Sequence, residues 1–209
     1  MEDNVQTIIT LPVTPLFSKW GTGAFQAEVR RLLEKYESDM TVIDVDDWNT
    51  HPELVAVLVD RVQSAYEWLP ASIRPNTKVL FTAHSQPINP NVNQVYIKQF
   101  TELASAIAKQ LDWKNWQVTS NKEKWLGPDV MDVIRLEAEQ GMKGIITCEL
   151  LFVIADIEVF FEIGQKCQEL CKKLVLDFVR TEFPNDSFDF ILAVAAIVKE
   201  KVKSAQVVQ

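Results

Sequence analysis

The amino-acid sequence predicts an α/β protein, a parallel sheet with helices on both faces in a doubly wound, three-layer arrangement. Short runs rich in Val, Ile, Leu and Phe alternate with longer segments of helical periodicity. Each helical segment separates two strand candidates, which favours βαβ connections and therefore parallel strands. The chain has 209 residues, 47% of them hydrophobic, and can bury a full core.

The first half of the chain alternates two strands with two helices. Strands are predicted at residues 7–13 and 40–45, and amphipathic helices at residues 23–37 and 52–68. Pro52 suits the first turn of the second helix, and Thr50 is a candidate N-terminal cap. Pro70 and Pro75 end that helix.

The second half repeats the alternation more clearly. Strands are predicted at residues 78–83, 116–120, 144–148 and 173–179, and helices at residues 94–111, 128–140, 154–170 and 188–202. Ligands of parallel α/β sheets bind beyond the carboxyl ends of the strands. Side chains at those ends are therefore the first candidates for a functional site.

Charge and composition narrow the class of protein. The formal net charge is −8, which argues against nucleic acid as a partner because that requires clustered Lys and Arg. Residues 1–4 lack the pattern of a secretory leader, and no apolar run reaches the roughly 18 residues of a membrane span. The sequence therefore predicts a cytoplasmic protein, and nothing in it indicates peripheral membrane contact.

Three cysteines, Cys148, Cys167 and Cys171, suit a reducing compartment because their number is odd and their spacing fits no disulfide framework. Cys167 and Cys171 share a helix face and could help to bind a soft metal. No Cys or His ligand lies near them in the sequence, which favours buried thiols instead.

Imidazole and carboxylate groups occur at two strand ends. His84 follows the apolar strand 78–83, and Glu158 and Glu162 lie four apart in the apolar segment after strand 144–148. Such groups act as ligands and bases in metal-ion chemistry. A hydrogen-bonded structural histidine and a solvated stripe of acids are the alternatives. The apolar residues around Glu158 argue against the stripe, and burial among them predicts a raised pKa for that carboxyl.

Several segments, in order, resemble the ferrochelatase family: residues 78–87, 96–99, 124–130, 152–162 and 184–186. Residues 8–18 also resemble the proline-bearing strand and loop of the Bacillus-type, coproporphyrin-using enzymes. The resemblance covers nearly the whole chain but lacks most of the N-terminal lobe. It implies a chelatase-like fold in which residues 1–77 are the remnant of the first lobe and the inter-lobe segment, and residues 78–209 are the C-terminal lobe.

The resemblance also implies roles for individual residues. His84 matches the catalytic, metal-binding histidine, Glu158 the carboxylate that faces it, and Glu162 the next acid along the helix. Ser85 and Trp125 are assigned to the porphyrin, with Trp125 as a hydrophobic lip for the flat ligand.

The chain departs from the family pattern at three places. Asp156 stands where the family has a histidine, and Lys166 stands where it has an acid. The loop at residues 118–123 is shortened. These departures put the outer part of a metal path in doubt.

The function implied by the resemblance is insertion of Fe(II) into coproporphyrin III or protoporphyrin IX, a lyase reaction of heme biosynthesis. Fe(II) is then a substrate, and no cofactor is permanently bound. The alternatives are a catalytically impaired half-chelatase that binds tetrapyrroles or metals as a subunit or binding protein, and a structural relative that retains the cleft only by ancestry. Because one lobe offers one wall for a porphyrin, we expect a homodimer or a partner that supplies the second lobe.

Overall fold

The structure, a computed structural model, describes residues 5–87, 89–119 and 126–207. Its strands are β1 (Thr7–Thr10), β2 (Thr41–Asp44), β3 (Thr77–Thr82), β4 (Trp116–Thr119), β5 (Gly144–Glu149) and β6 (Asp177–Arg180). Its helices are α1 (Thr22–Lys35), α2 (Pro52–Trp68), α3 (Pro90–Gln110), α4 (Val130–Glu139), α5 (Ile157–Val159), α6 (Cys167–Lys173) and α7 (Phe188–Val207). A 3₁₀ turn spans Arg74–Asn76, and a π-helix spans Phe160–Lys166 between α5 and α6.

The strands pair in parallel in two sheets, one of β1 and β2 and a central one in the order β4-β3-β5-β6. In the central sheet Thr82 on β3 is in register with Thr119 on β4 and with Glu149 on β5. The last residues of three neighbouring strands therefore lie side by side at the carboxyl edge of the sheet. This edge is where parallel α/β folds bind ligands.

Helices cover both faces of the central sheet, as predicted. Successive strand residues point to opposite faces. Val79 and Phe81 lie in a core with residues of α2, α3 and α7, whereas Leu80 lies in a second core with residues of α4, α6 and the π-helix. The fold is thus the expected three-layer α/β arrangement.

The segments before α2 pack on the first of these cores. Leu16, Val45 and Trp48 are buried with residues of α2, and Leu16 is fully covered. The small sheet of β1 and β2 is connected to the central layers through these contacts.

Several predicted boundaries are wrong; the first strand, predicted to residue 13, ends at Thr10, and the last helix, predicted to residue 202, continues to Val207. The strand predicted at residues 173–179 starts only at Asp177, because α6 continues to Lys173 and a turn follows in which Val175 has a φ of 58°. The N-terminal cap of α2 is His51 rather than Thr50, because Nδ1 of His51 accepts the backbone N–H of Glu53 at 3.3 Å.

The helix predicted from residue 154 begins instead at Ile157, after a capping aspartate. The Asp156 carboxylate accepts the backbone N–H groups of Glu158 at 2.8 Å and Val159 at 3.3 Å, which satisfies two of the free donors at the helix start. The chain then passes into the π-helix. Segments of π-helix are rare and occur frequently at functional sites.

Candidate functional site

A small cleft opens at the carboxyl edge of the central sheet. The ends of β3, β4 and β5 contribute to it, together with the start of α4 and the helical segment after β5. It is lined by Thr82, Ala83, His84, Thr119, Val130, Glu149, Glu158, Val159, Glu162 and Ile163. The three residues predicted as metal ligands, His84, Glu158 and Glu162, therefore meet in one cleft.

Hydrogen bonds hold both the backbone and the ring of His84. The Tyr96 hydroxyl on α3 donates to the His84 carbonyl oxygen at 2.7 Å, and burial raises the pKa of Tyr96, so that this donor keeps its proton. Nδ1 of His84 lies 2.7 Å from the carbonyl oxygen of Ser85. A carbonyl oxygen can only accept, so Nδ1 carries the proton of the neutral ring and Nε2 is the basic nitrogen.

The basic nitrogen of His84 lies beside the Glu158 carboxylate. Nε2 and Oε1 are 3.6 Å apart, which is too long for a hydrogen bond. If a divalent ion were bonded to both atoms at about 2.1 Å, the angle Nε2–metal–Oε1 would be about 120°. The spacing of the two atoms is therefore compatible with one ion between them.

The expectation that Glu158 lies buried in an apolar wall is wrong. Its side chain is 50% exposed, because the neighbouring apolar side chains also face outwards. We call these neighbours the apolar rim; they are Ile154, Ile157, Phe160 and Phe161, and Ile157 is 86% exposed. An exposed group of large apolar side chains beside a polar cleft is typical of a binding surface.

Glu162 lies on the π-helix, and a lysine one turn further along pairs with it. Oε1 of Glu162 is 3.5 Å from Nζ of Lys166, whose ammonium group also lies over the Phe161 ring, 4.7 Å from its centroid. The side chain of Glu162 is less exposed than that of Glu158. The two acids therefore line one cleft in different electrostatic settings.

Glu149 is a cleft residue that the sequence interpretation missed. Its buried carboxylate accepts hydrogen bonds from Oγ1 of Thr82 at 2.7 Å and from the backbone N–H groups of Leu151 at 3.1 Å and Phe152 at 3.4 Å. Burial raises the pKa of Glu149 to about 7, and the nearby charge of Asp156 acts in the same direction, whereas the three hydrogen bonds oppose the rise. An acid at the carboxyl end of an apolar strand, the same signal that singled out His84, could have identified it.

The structure describes one of the two residues assigned to the porphyrin, Ser85. Ser85 is buried and its hydroxyl donates to the carbonyl oxygen of Leu126 at 2.7 Å, so it supports the backbone beside His84 and does not line the cleft. A porphyrin contact of Ser85 stays a prediction. Trp125 lies outside the described residues.

All three cysteines are free and buried, in agreement with the interpretation as buried thiols. Burial raises the pKa of Cys148, Cys167 and Cys171 to about 12, so all three remain protonated near neutral pH. Metal binding by Cys167 and Cys171 would require thiolates.

Across residues 5–87, 89–119 and 126–207, no group of three or more His, Cys, Asp or Glu side chains is arranged to hold a metal ion. In the same part of the chain, no helix combines the length and the apolar character needed to cross a membrane.

Comparison with solved structures finds chelatase folds. The structure of SirB from Bacillus subtilis with Fe³⁺ matches 98% of this chain and 75% of its own, with a TM-score of 0.74 and 14% sequence identity. The structure of CbiX, described as the terminal enzyme of siroheme biosynthesis in denitrifying bacteria, matches 96% of this chain and 76% of its own, with a TM-score of 0.57 and 14% identity. At such low identity these similarities establish the fold alone.

Comparison of sequences identifies the family. The coproporphyrin III ferrochelatase of Oceanobacillus iheyensis is 29% identical over 97% of this chain and 67% of its own length. That of Halalkalibacterium halodurans is 30% identical over 96% and 66%. The chain thus spans about two thirds of the length of these relatives. The family model described as ferrochelatase matches residues 1–202. With this match over almost its whole length, the chain belongs to the ferrochelatase family.

Proposed function

We propose that this protein inserts Fe(II) into a porphyrin, coproporphyrin III or protoporphyrin IX, as a ferrochelatase-type lyase of heme biosynthesis. One observation carries the proposal: the spacing of Nε2 of His84 and Oε1 of Glu158 is compatible with one metal ion between them, in a cleft at the carboxyl edge of the sheet. Membership of the ferrochelatase family supports the class of substrate. The relatives named coproporphyrin III ferrochelatases favour that porphyrin over protoporphyrin IX.

The chemistry requires an ion that is held loosely and two pyrrole protons that are removed. Imidazole is a suitable ligand for Fe(II), and a pair of protein ligands leaves the other coordination positions to water and to the incoming ring nitrogens. As those nitrogens bind the ion, Nε2 of His84 and the Glu158 carboxylate are released. Both groups can then accept pyrrole protons as general bases.

The apolar rim gives the porphyrin a surface on which to lie. A flat macrocycle buries most of its faces against apolar side chains, and Ile157, Phe160 and Phe161 offer such contacts next to Glu158. We assign Glu162, the next acid of the cleft along the helix, to delivery of the ion to the inner pair. Its contact with Lys166 lowers its net attraction for a cation, so we assign it the lesser role.

The second candidate is a half-chelatase that binds a tetrapyrrole or a metal without inserting one into the other. The pairing of Glu162 with Lys166 favours it, because that contact weakens the path by which an ion would arrive. In either case we expect a homodimer or a partner to cover the apolar rim, with residues 1–77 as the remnant of the first lobe. Three free cysteines are consistent with a cytoplasmic protein.

Absorption titrations test the proposal. The protein is mixed with coproporphyrin III or protoporphyrin IX, without oxygen, and Fe(II) is then added. We expect a spectral change on porphyrin binding and a second change on metallation that His84→Ala abolishes while its circular dichroism stays unchanged. His51→Ala is the matched control, because His51 contacts Glu200 on α7 and does not line the cleft. Metallation at the unaltered rate in His84→Ala would refute the proposal, and binding without metallation in the unaltered protein would establish the half-chelatase.

A further inference from the structure

Glu149 links the two strand ends from which the site is built. It is the last residue of β5, and Thr82, its register partner, is the last residue of β3, two residues before His84. One carboxylate oxygen accepts from the Thr82 hydroxyl, and the other accepts from the backbone N–H groups of Leu151 and Phe152 in the loop that follows β5. Glu149 therefore ties the β3 end to the loop that leads towards Glu158.

Burial of the Glu149 carboxyl costs desolvation free energy, which suggests that the group is kept for a function. Removing a carboxyl group from water is unfavourable unless the group is paired and hydrogen-bonded. Within the described residues Glu149 has no Lys or Arg partner within 4.0 Å, and its neighbours include the acid Asp156 and the buried Tyr96. An apolar residue would fill the same space without the desolvation cost, but it could not bind the Thr82 hydroxyl and the two N–H groups.

We propose that Glu149 is a positioning residue that fixes the imidazole ring of His84. Its bond to the Phe152 N–H holds the loop on which the Phe152 ring packs edge-on against the His84 ring, with the centroids 6.4 Å apart. Its bond to Thr82 holds the strand end that carries His84. Groups that hydrogen-bond directly to a metal ligand typically account for 10- to 100-fold in metal affinity. Glu149 acts one contact further out, through Thr82 and Phe152, so we expect an effect near the lower end of that range.

The chemistry of the carboxyl predicts which substitutions preserve its role. Gln keeps an oxygen for the N–H groups of Leu151 and Phe152, and its amide N–H can donate to Oγ1 of Thr82. The Thr82 hydroxyl can then turn to the Cys148 carbonyl oxygen, 3.5 Å away. Leu fills a similar volume but leaves all three donors without Glu149 as acceptor. The role thus depends on hydrogen bonding, not on charge.

The first test uses the metal-free protein, so its outcome is independent of the proposed function. The chain has two histidines, and we expect the ring protons of His84 to sense the ring current of Phe152, 6.4 Å away, in NMR spectra of histidine-labelled protein. We expect Glu149→Leu to shift the His84 ring resonances and Glu149→Gln to leave them near their original positions. Thr82→Val is a milder second variant, and its matched control is Thr147→Val, because the buried Thr147 hydroxyl on β5 has no hydrogen-bond partner among the described residues. Unmoved His84 resonances in Glu149→Leu would overturn the inference.

The second test measures Co(II) affinity by calorimetry, and this arm rests on the proposed function. We expect Glu149→Leu to weaken Co(II) binding by about tenfold or more and Glu149→Gln to change it by less than about threefold. Equal losses in both variants would assign the role to the charge of Glu149 and overturn positioning by hydrogen bonds. Absence of Co(II) binding in the unaltered protein would refute the proposed function, whereas NMR shifts that follow the series would still support positioning.

Discussion

The stability of the Glu149→Gln variant, measured relative to the unaltered protein, should increase as the pH rises from 5 to 8. The buried carboxyl has its pKa raised from the ordinary value of 4.5 to about 7, primarily by burial. A raised pKa means that the folded protein binds the proton more tightly than the unfolded chain does. The resulting stabilisation is fully present below about pH 4.5 and is lost as the pH rises through about 7.

The size of the effect follows from the shift. One pKa unit corresponds to about 1.4 kcal/mol, so the whole shift amounts to about 3 kcal/mol, of which roughly 2 to 3 kcal/mol falls between pH 5 and pH 8. Gln resembles the protonated carboxyl and does not titrate. The free energy of unfolding of Glu149→Gln minus that of the unaltered protein should therefore rise by this amount over that interval.

Urea unfolding of both proteins at pH 5 and pH 8 measures the difference, since other titrating groups are common to both. Glu139→Gln is the matched control, because Glu139 is exposed on α4, and its difference should stay within about 0.5 kcal/mol. A Glu149→Gln difference that stays constant or falls with pH would contradict the assignment of Glu149 as a buried acid without a cationic partner.

Three further predictions follow from the structure. Glu158→Gln should reduce porphyrin metallation by about a hundredfold or more, as loss of a general base typically does, and Glu162→Gln should reduce it less; steady-state assays with equal losses would refute the inner and outer roles. Lys78→Ala should lower the free energy of unfolding by about 3 kcal/mol, because Nζ of Lys78 is 2.9 Å from the buried Glu137 carboxylate, and a double variant with Glu137→Leu should regain most of that loss. Sedimentation equilibrium should show a homodimer, or else a monomer that metallates porphyrin only when a partner protein is added. A monomer that metallates porphyrin rapidly by itself would show that one lobe suffices.

The fold could be predicted because its signals are local and repeat along the chain. Apolar strands and amphipathic helices alternate, and the exact bounds of α2 follow from Pro52 and the apolar periodicity. Boundaries failed where side-chain hydrogen bonds decide them, as at His51 and Asp156. The predicted start of β6 was wrong because α6 continues to Lys173 and is followed by a turn in which Val175 has a left-handed backbone conformation.

The candidate site was predicted only in part. His84, Glu158 and Glu162 stand out in sequence and meet in one cleft, yet the exposure of Glu158 depends on how its helix sits against the sheet. Glu149 directly follows the predicted strand 144–148, and that position could have singled it out, but its contact with Thr82 depends on a register that only the paired strands reveal. Burial of a lone acid is a property of tertiary structure, so no periodicity in the sequence predicts it.

Zn(II) binding followed by NMR tests directly whether His84 and Glu158 share a metal ion. Histidine labelled with ¹⁵N is incorporated, and Zn(II) is added as a diamagnetic substitute for Fe(II). We predict that the Nε2 resonance of His84 shifts on binding of one equivalent of Zn(II), that the His51 resonances stay in place, and that Glu158→Gln greatly reduces the His84 shift. Zn(II) binding that leaves the His84 resonance unmoved, or that moves the His51 resonances alone, would show that His84 and Glu158 do not share the ion.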